Sequence, residues 1–216
     1  MQKEVVLVRH GETDWNAQQR WQGHSDVPLN AQGIRQAEEV AEELRPYDLE
    51  VLLSSDLARA HQTAQIIARR KTVPIVTSDK LREVHVGKAE GLGYREALDR
   101  FGPESILRWR SLLDSDLEFS FPEGETKLDA LKRALGAMGE FLQDLDATRV
   151  GIVSHGMLIR TFLHYLFPQL ELPTVLPNCG YVSLTYEMSA RHWSLSDNGH
   201  SGEDDLLALT TRRLSM

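Results

Sequence analysis

The sequence is short of several things, and each shortage excludes something. It holds one cysteine, Cys179, so no disulfide can close within the chain, as suits a reducing compartment. It has no apolar run long enough to cross a bilayer and no basic stretch leading into an apolar one at the N-terminus. Neither anchor nor signal peptide is expected, and the expected location is cytoplasmic. Positive charge is scarce, with 24 Lys and Arg against 32 Asp and Glu, a net charge of −8. An acidic surface repels phosphate backbones, so neither nucleic acid nor membrane is expected as a partner. No two histidines stand at the helical spacing that seeds a zinc site, and no metal or other cofactor is expected. There is no low-complexity tract, and no linker fit to divide two domains.

What is present is ordinary globular material, 41% hydrophobic and 26% charged over 216 residues. That is enough to bury a substantial core in a single domain, 1–216, acting as a monomer or homodimer. Val5 to Val8 form a β-branched run without polar alternation, a pattern of strands buried on both faces. Asn30 can cap a helix bearing Ile34, Ala37, Ala41 and Leu44, with Pro46 at its end. A second strand is expected over 50–54, then a helix capped by Ser55 or Asp56 that carries Ala60, Thr63, Ala64 and Ile67, then a third strand over 73–77. This alternation predicts an α/β fold with a mostly parallel sheet. Residues 78–125, broken by Gly87, Gly91, Gly93 and Gly102-Pro103, read as an inserted lid or specificity lobe, with Ile106, Trp109, Leu112 and Leu113 on one amphipathic helix. Thr126 caps a long helix striped with Leu128, Leu131, Leu135, Met138, Leu142 and Leu145. Another apolar strand, 149–153, leads to a helical run, and 181–186, 193–196 and 206–211 read as edge strands.

Two of these strands end alike. The first delivers Arg9-His10-Gly11 and the fourth delivers His155-Gly156, at the carboxyl ends where an open α/β sheet binds its ligands. Gly11 is expected to let backbone N–H groups approach an anion. Against a net charge of −8, a phosphate-bearing ligand would need a local cluster of arginines to draw it in.

The string RHGETDWN, with GHSDVPLNAQG, SSDLARAHQTA, LREVHVGKAEG, PEGET and VSHGMLIR following in order from Gly23 to Arg160, resembles the signature set of the histidine phosphatase superfamily, the phosphoglycerate mutase-like proteins. Any one segment is weak and the ordered set is specific. The resemblance implies a three-layer α/β/α sandwich with a small helical lid lobe over 78–125. It also implies a metal-independent phosphomonoesterase that forms a phosphohistidine on His10 and acts on a small phosphorylated metabolite. Arg9, Arg59 and His155 would hold the phosphoryl group, Glu83 would be the proton donor, and Asn16, Gln22, Gly23 and Gly156 would add neutral donors.

The residue types suit that chemistry. Histidine is a nucleophile toward phosphorus, and arginine grips phosphate oxygens as a planar, permanently charged fork. Other phosphatase chemistries fit less well. The residue six positions after Cys179 is Thr185, not the arginine a cysteine phosphatase needs, and Asp114-Ser115-Asp116 follows a helical pattern instead of the strand an aspartyl phosphatase needs. Two alternatives stay open within the family: a cofactor-dependent phosphoglycerate mutase, and a phosphoester-binding module with little turnover. Only 72 positions, from 83 to 155, separate Glu83 from His155, short for the insertion such mutases carry. The binding module would have no need of Glu83.

Overall fold

The computed structural model describes residues 1–69, 72–173 and 175–196. Among these residues six strands form one sheet: β1 (Gln2–Arg9), β2 (Val51–Ser55), β3 (Ile75–Ser78), β4 (Arg149–Ser154), β5 (Tyr181–Glu187) and β6 (His192–Leu195), in the order β3-β2-β4-β1-β5-β6. The pairs β3/β2, β2/β4 and β4/β1 are parallel, and β5 runs antiparallel to both neighbours. The sheet is therefore mostly parallel, as the strand-helix alternation predicts. Residues 181–186 are not an edge, because β5 lies between β1 and β6, and among the described residues β6 closes that side. The strand expected over 206–211 falls outside the described residues.

Among the described residues seven α-helices accompany the sheet: α1 (Asp14–Ala17), α2 (Ala31–Glu43), α3 (Ala58–Arg69), α4 (Tyr94–Arg110), α5 (Asp114–Leu117), α6 (Lys127–Gln143) and α7 (Gly156–Leu166). The reason for three layers is visible in β1. Val5 and Leu7 enter a cluster with Leu131, Met138 and Leu142 of α6 and Ile159, Phe162 and Leu163 of α7. Val6 and Val8 enter another with Ala37 and Val40 of α2 and Ala60 and Ile67 of α3. Alternate side chains thus face opposite layers, and an unbroken apolar run is what both faces require.

Caps follow the expected residues with one exception. The side chains of Asn30 and Thr126 accept the N–H of Gly33 and Asp129. At α3, however, the Ala58 N–H goes to Asp26 Oδ1, 32 residues upstream, while Ser55 takes the Leu57 N–H and Asp56 pairs with Arg82. A second correction concerns the lobe. α4 bends at Gly102, where φ is +79°, and its apolar face ends at Trp109. Ser111 is extended, so Leu112 and Leu113 leave the helix, and Leu113 is exposed. Lys127, wholly buried, closes the helix by donating Nζ–H to the carbonyls of Arg108, Trp109 and Ser111 at 2.8, 3.0 and 2.7 Å. Val84, Val86, Ile106, Trp109 and Phe121 share the core cluster of β1, α6 and α7, so the lobe is joined to the main core.

Candidate active site

In the register of β1 with β4, Arg9 is opposite Ser154. His10 and His155 therefore leave neighbouring strands side by side, and their rings meet with centroids 5.2 Å apart. A cavity of about 170 Å³ opens there, and Arg9, His10, Asn16, Gln22, Gly23, Arg59, Glu83 and Gly156 all line it. Of the nine residues singled out in the sequence, His155 alone is absent from the wall; its ring is fully buried and packs against His10.

His10 is 3% exposed. Its Nδ1 lies 2.6 Å from the Gly11 carbonyl. A carbonyl only accepts, so Nδ1 carries the hydrogen and Nε2 is left with a lone pair. Burial, then the charges of Arg59 and Arg9, hold the imidazole pKa well below its ordinary 6.5. His155 is depressed in the same direction by burial, Arg59 and His10; its Nε2 meets Ser55 Oγ at 2.8 Å, and its Nδ1 is buried with no partner among the described residues.

The two guanidiniums are held by backbone. Arg59, with no exposed surface, donates to the carbonyls of Ser25 and Gly23, both at 2.8 Å, and Arg9 donates to the Leu176 carbonyl. The Nε of each is buried and unbonded, and neither forms an ion pair among the described residues. Burial lowers the Arg59 pKa to about 10, so it remains cationic at neutral pH. A Cβ on Gly156 would sit 3.2 Å from Arg9 Nε, tight enough that the guanidinium would have to give by a few tenths of an ångström. Gly11 has a different task from the one expected of it. Its N–H goes to Thr63 Oγ1, and a Cβ there would lie 2.5 Å from the Gly33 carbonyl. It lets the loop pack on the start of α2.

Glu83 lies across the first turn of α7, accepting the N–H of Met157 on Oε2 (3.0 Å) and those of Val84 and Leu158 on Oε1 (both 2.9 Å). Its backbone carbonyl is held by His24 Nε2 at 2.8 Å and Arg133 Nη2 at 2.9 Å. Arg133 also bonds the carbonyls of Lys80 and Arg82 and the carboxylate of Glu125, whose pKa is lowered to about 2 because, against its burial, His24, Arg133 and the His85 N–H all hold its charged form. Thr13 Oγ1 lies 3.0 Å from Gln22 Oε1 and 3.2 Å from Asn16 Oδ1, and Asn178 Nδ2 also reaches Asn16 Oδ1. With their oxygens engaged behind, both amides can turn N–H groups to the cavity. Motif reading missed Ser55, Thr13, Arg133, Asn178 and the wall residues Arg20, Trp21, Trp109 and Arg160. Ser55, Thr13 and Arg160 stand inside quoted segments and Trp109 in the amphipathic pattern of α4; the others carry no local pattern.

The buried imidazoles have a stability consequence. An unfolded chain binds protons at histidine near pH 6.5, whereas the folded one resists until the pH is well below that. This contribution is complete above pH 6.5 and is lost as pH falls toward the depressed folded values. Unfolding free energy from urea titrations at pH 7.5, 6.5 and 5.5 should therefore fall by only about 0.4 kcal/mol per histidine over the first step. Over the second it should drop by about 1 kcal/mol per histidine, and His155→Gln should remove one histidine's share.

The arrangement can therefore bind a dianion between two fixed cations and present an unprotonated ring nitrogen to it. A model of the histidine phosphatase superfamily (branch 1) matches residues 5–198. The chain is 35% identical over 205 residues to "Probable phosphoglycerate mutase GpmB" of Proteus mirabilis, covering 91% of this chain and 92% of that one. It is 34% identical over 196 residues to "Uncharacterized phosphatase PhoE" of Bacillus subtilis, with 89% and 92% covered. A mycobacterial glucosyl-3-phosphoglycerate phosphatase, solved with VO3, superposes with a TM-score of 0.79 at 27% identity, over 90% of this chain and 97% of that one.

Proposed function

Because this chain belongs to the histidine phosphatase superfamily, and so among enzymes of phosphatase or mutase type, we propose that it is a phosphomonoesterase that hydrolyses a small phosphorylated metabolite without a metal, through a phosphohistidine. The observation that carries the reading is the buried His10, its Nε2 lone pair free, beside two buried guanidiniums that lack carboxylate partners among the described residues. Nε2 attacks phosphorus, the ester P–O bond breaks, and Glu83 gives the departing alkoxide a proton. A water molecule then attacks the phosphohistidine, Glu83 takes its proton, and the P–N bond electrons return to Nε2 as phosphate forms. Arg9 and Arg59, with Asn16, Gln22, Gly23 and Gly156, stabilise the equatorial oxygens in both steps, and His155 packs its ring behind His10.

The names of the GpmB relatives favour a second reading, phosphoglycerate mutation. Hydrolysis is supported by the lobe: no arginine of 78–125 lines the cavity, since Arg108 pairs with Asp116 and Arg110 lies over Tyr94. The test is phosphate release in EDTA from p-nitrophenyl phosphate and a panel of small esters, including 3-phosphoglycerate with and without 2,3-bisphosphoglycerate. Net phosphate release is the expected result. Isomerisation of phosphoglycerates without net release would transfer the assignment to a mutase, and no turnover of either kind would leave a binding module.

A further inference from the structure

The cations and the nucleophile of the site stand on regular structure: Arg9 ends β1, His10 follows it, and Arg59 is in the first turn of α3. Glu83 does not. Residues 82–86 belong to no strand or helix, so their carbonyls have no ladder to pair with, and a side chain there is placed only as well as other groups fix its backbone. A side chain outside the cavity wall does most of that fixing. Arg133 has five N–H groups, and all five are spent. Nη1 donates to the carbonyls of Lys80 and Arg82 at 2.7 and 2.8 Å, Nη2 to the Glu83 carbonyl at 2.9 Å and to Glu125 Oε1, and Nε to Glu125 Oε2 at 3.1 Å.

An ion pair alone does not explain this arrangement. Glu125 takes two of the N–H groups and is itself tied to His85, accepting its N–H and donating to its carbonyl, both at 2.9 Å. The other three go to the backbone that ends in Glu83. His24 adds one further bond to the Glu83 carbonyl. Arg133 rises from α6, whose Leu131, Ala134 and Met138 are in the core, and α6 packs on α7. Glu83 is thus strung between two core helices: its carboxylate accepts the N–H groups of Met157 and Leu158 on α7, and its carbonyl is gripped from α6. Because α7 follows β4, the parallel neighbour of the strand that delivers His10, both anchors relate the acid to the nucleophile.

We propose that Arg133 is a positioning residue for proton transfer: without touching substrate, it sets the reach of Glu83 to the leaving oxygen and to the attacking water. This rests on the phosphomonoesterase reading and adds to it the group that keeps the acid in place. A lysine cannot take over, because an ammonium carries three N–H groups on one atom and cannot serve three carbonyls and a carboxylate together.

The test measures kcat and KM of Arg133→Ala and Arg133→Lys on glycerol 3-phosphate, an alkyl ester, and the first turnover of p-nitrophenyl phosphate, whose leaving group needs no proton. Alkyl turnover should fall about 10- to 100-fold at unchanged KM, a part of what loss of the acid itself costs. The first release of p-nitrophenolate should keep the wild-type rate, with slow hydrolysis of the phosphohistidine after it. Arg133→Lys keeps the charge, so it reads the same loss should the alanine variant not fold. Added to Glu83→Gln, Arg133→Ala should cost the alkyl ester less than about twofold more, since a residue that acts only through Glu83 then has nothing left to place. Lys3→Met is the structural control. Buried Lys3 holds the carbonyls of Leu145 and Ala147 past the far end of α6, and its loss should lower Tm without separating the two esters. The proposal is overturned by equal losses on both esters, by full activity of Arg133→Lys, or by an undiminished Arg133→Ala effect in the Glu83→Gln background. Wild-type phosphate release from glycerol 3-phosphate reads the phosphomonoesterase assignment separately: release by the wild type, with variants that show no such split, would sink the Arg133 proposal alone.

Discussion

His10→Ala stops phosphate release while leaving a folded protein, with kcat falling by about four orders of magnitude or more, as when other covalent nucleophiles are removed. The size follows from what stays behind. Arg9 and Arg59 are fixed by the carbonyls of Leu176, Ser25 and Gly23, not by the imidazole. The anion site therefore survives, and the variant should still bind inorganic phosphate. Only the Nε2 lone pair is lost, and with it the covalent route. No nearby group can replace it, because His155 has its Nε2 against Ser55 and lies outside the cavity wall. The decisive measurement is rapid quenching after mixing with a radiolabelled ester. Wild type should yield protein-bound label that is stable to base and released by acid, the behaviour of a phosphoramidate, and His10→Ala should yield none. Phosphate release by His10→Ala within tenfold of wild type would be incompatible with the phosphohistidine.

Much of this arrangement is legible in the sequence, and what is not has a common cause. The run Val5 to Val8 announces a two-sided strand because both core clusters draw on it. Asn30 and Thr126 announce helix starts because a cap bond spans three residues and is written locally. The motif residues come together because β1 and β4 are parallel neighbours that end level, a fact that the recurrence of His-Gly after two apolar strands already suggests. The illegible parts are pairings across long separations. Asp26 caps α3 from 32 residues away, Asn178 reaches Asn16 across 162 positions, and Arg133 reaches the Glu83 loop across 50. No period or spacing encodes such contacts. Gly11 shows the converse limit. A glycine in a motif can serve an anion or a tight packing contact, and only the nearby Gly33 carbonyl decides between them.

The fate of Glu83→Gln depends on the leaving group, and that dependence separates an acid-base residue from a structural one. Three N–H groups converge on the carboxylate. A glutamine oxygen can keep the two from Val84 and Leu158, but its NH2 then faces the Met157 N–H, and some local rearrangement at the start of α7 follows. That disturbance would slow every substrate equally. Loss of proton transfer would not. An alkyl phosphate expels a strongly basic alkoxide and should lose about 10²- to 10⁴-fold in turnover. p-Nitrophenolate departs without a proton, so p-nitrophenyl phosphate should still phosphorylate His10 at nearly the wild-type rate. The second step needs the same carboxylate as a base to activate water, so the phosphohistidine should then persist. The expected trace is a burst of one p-nitrophenolate per active site followed by slow turnover, with no burst of alcohol from the alkyl ester. Equal losses on both esters without a burst would reduce Glu83 to a clamp on the α7 terminus and leave the proton for the leaving group to come from elsewhere.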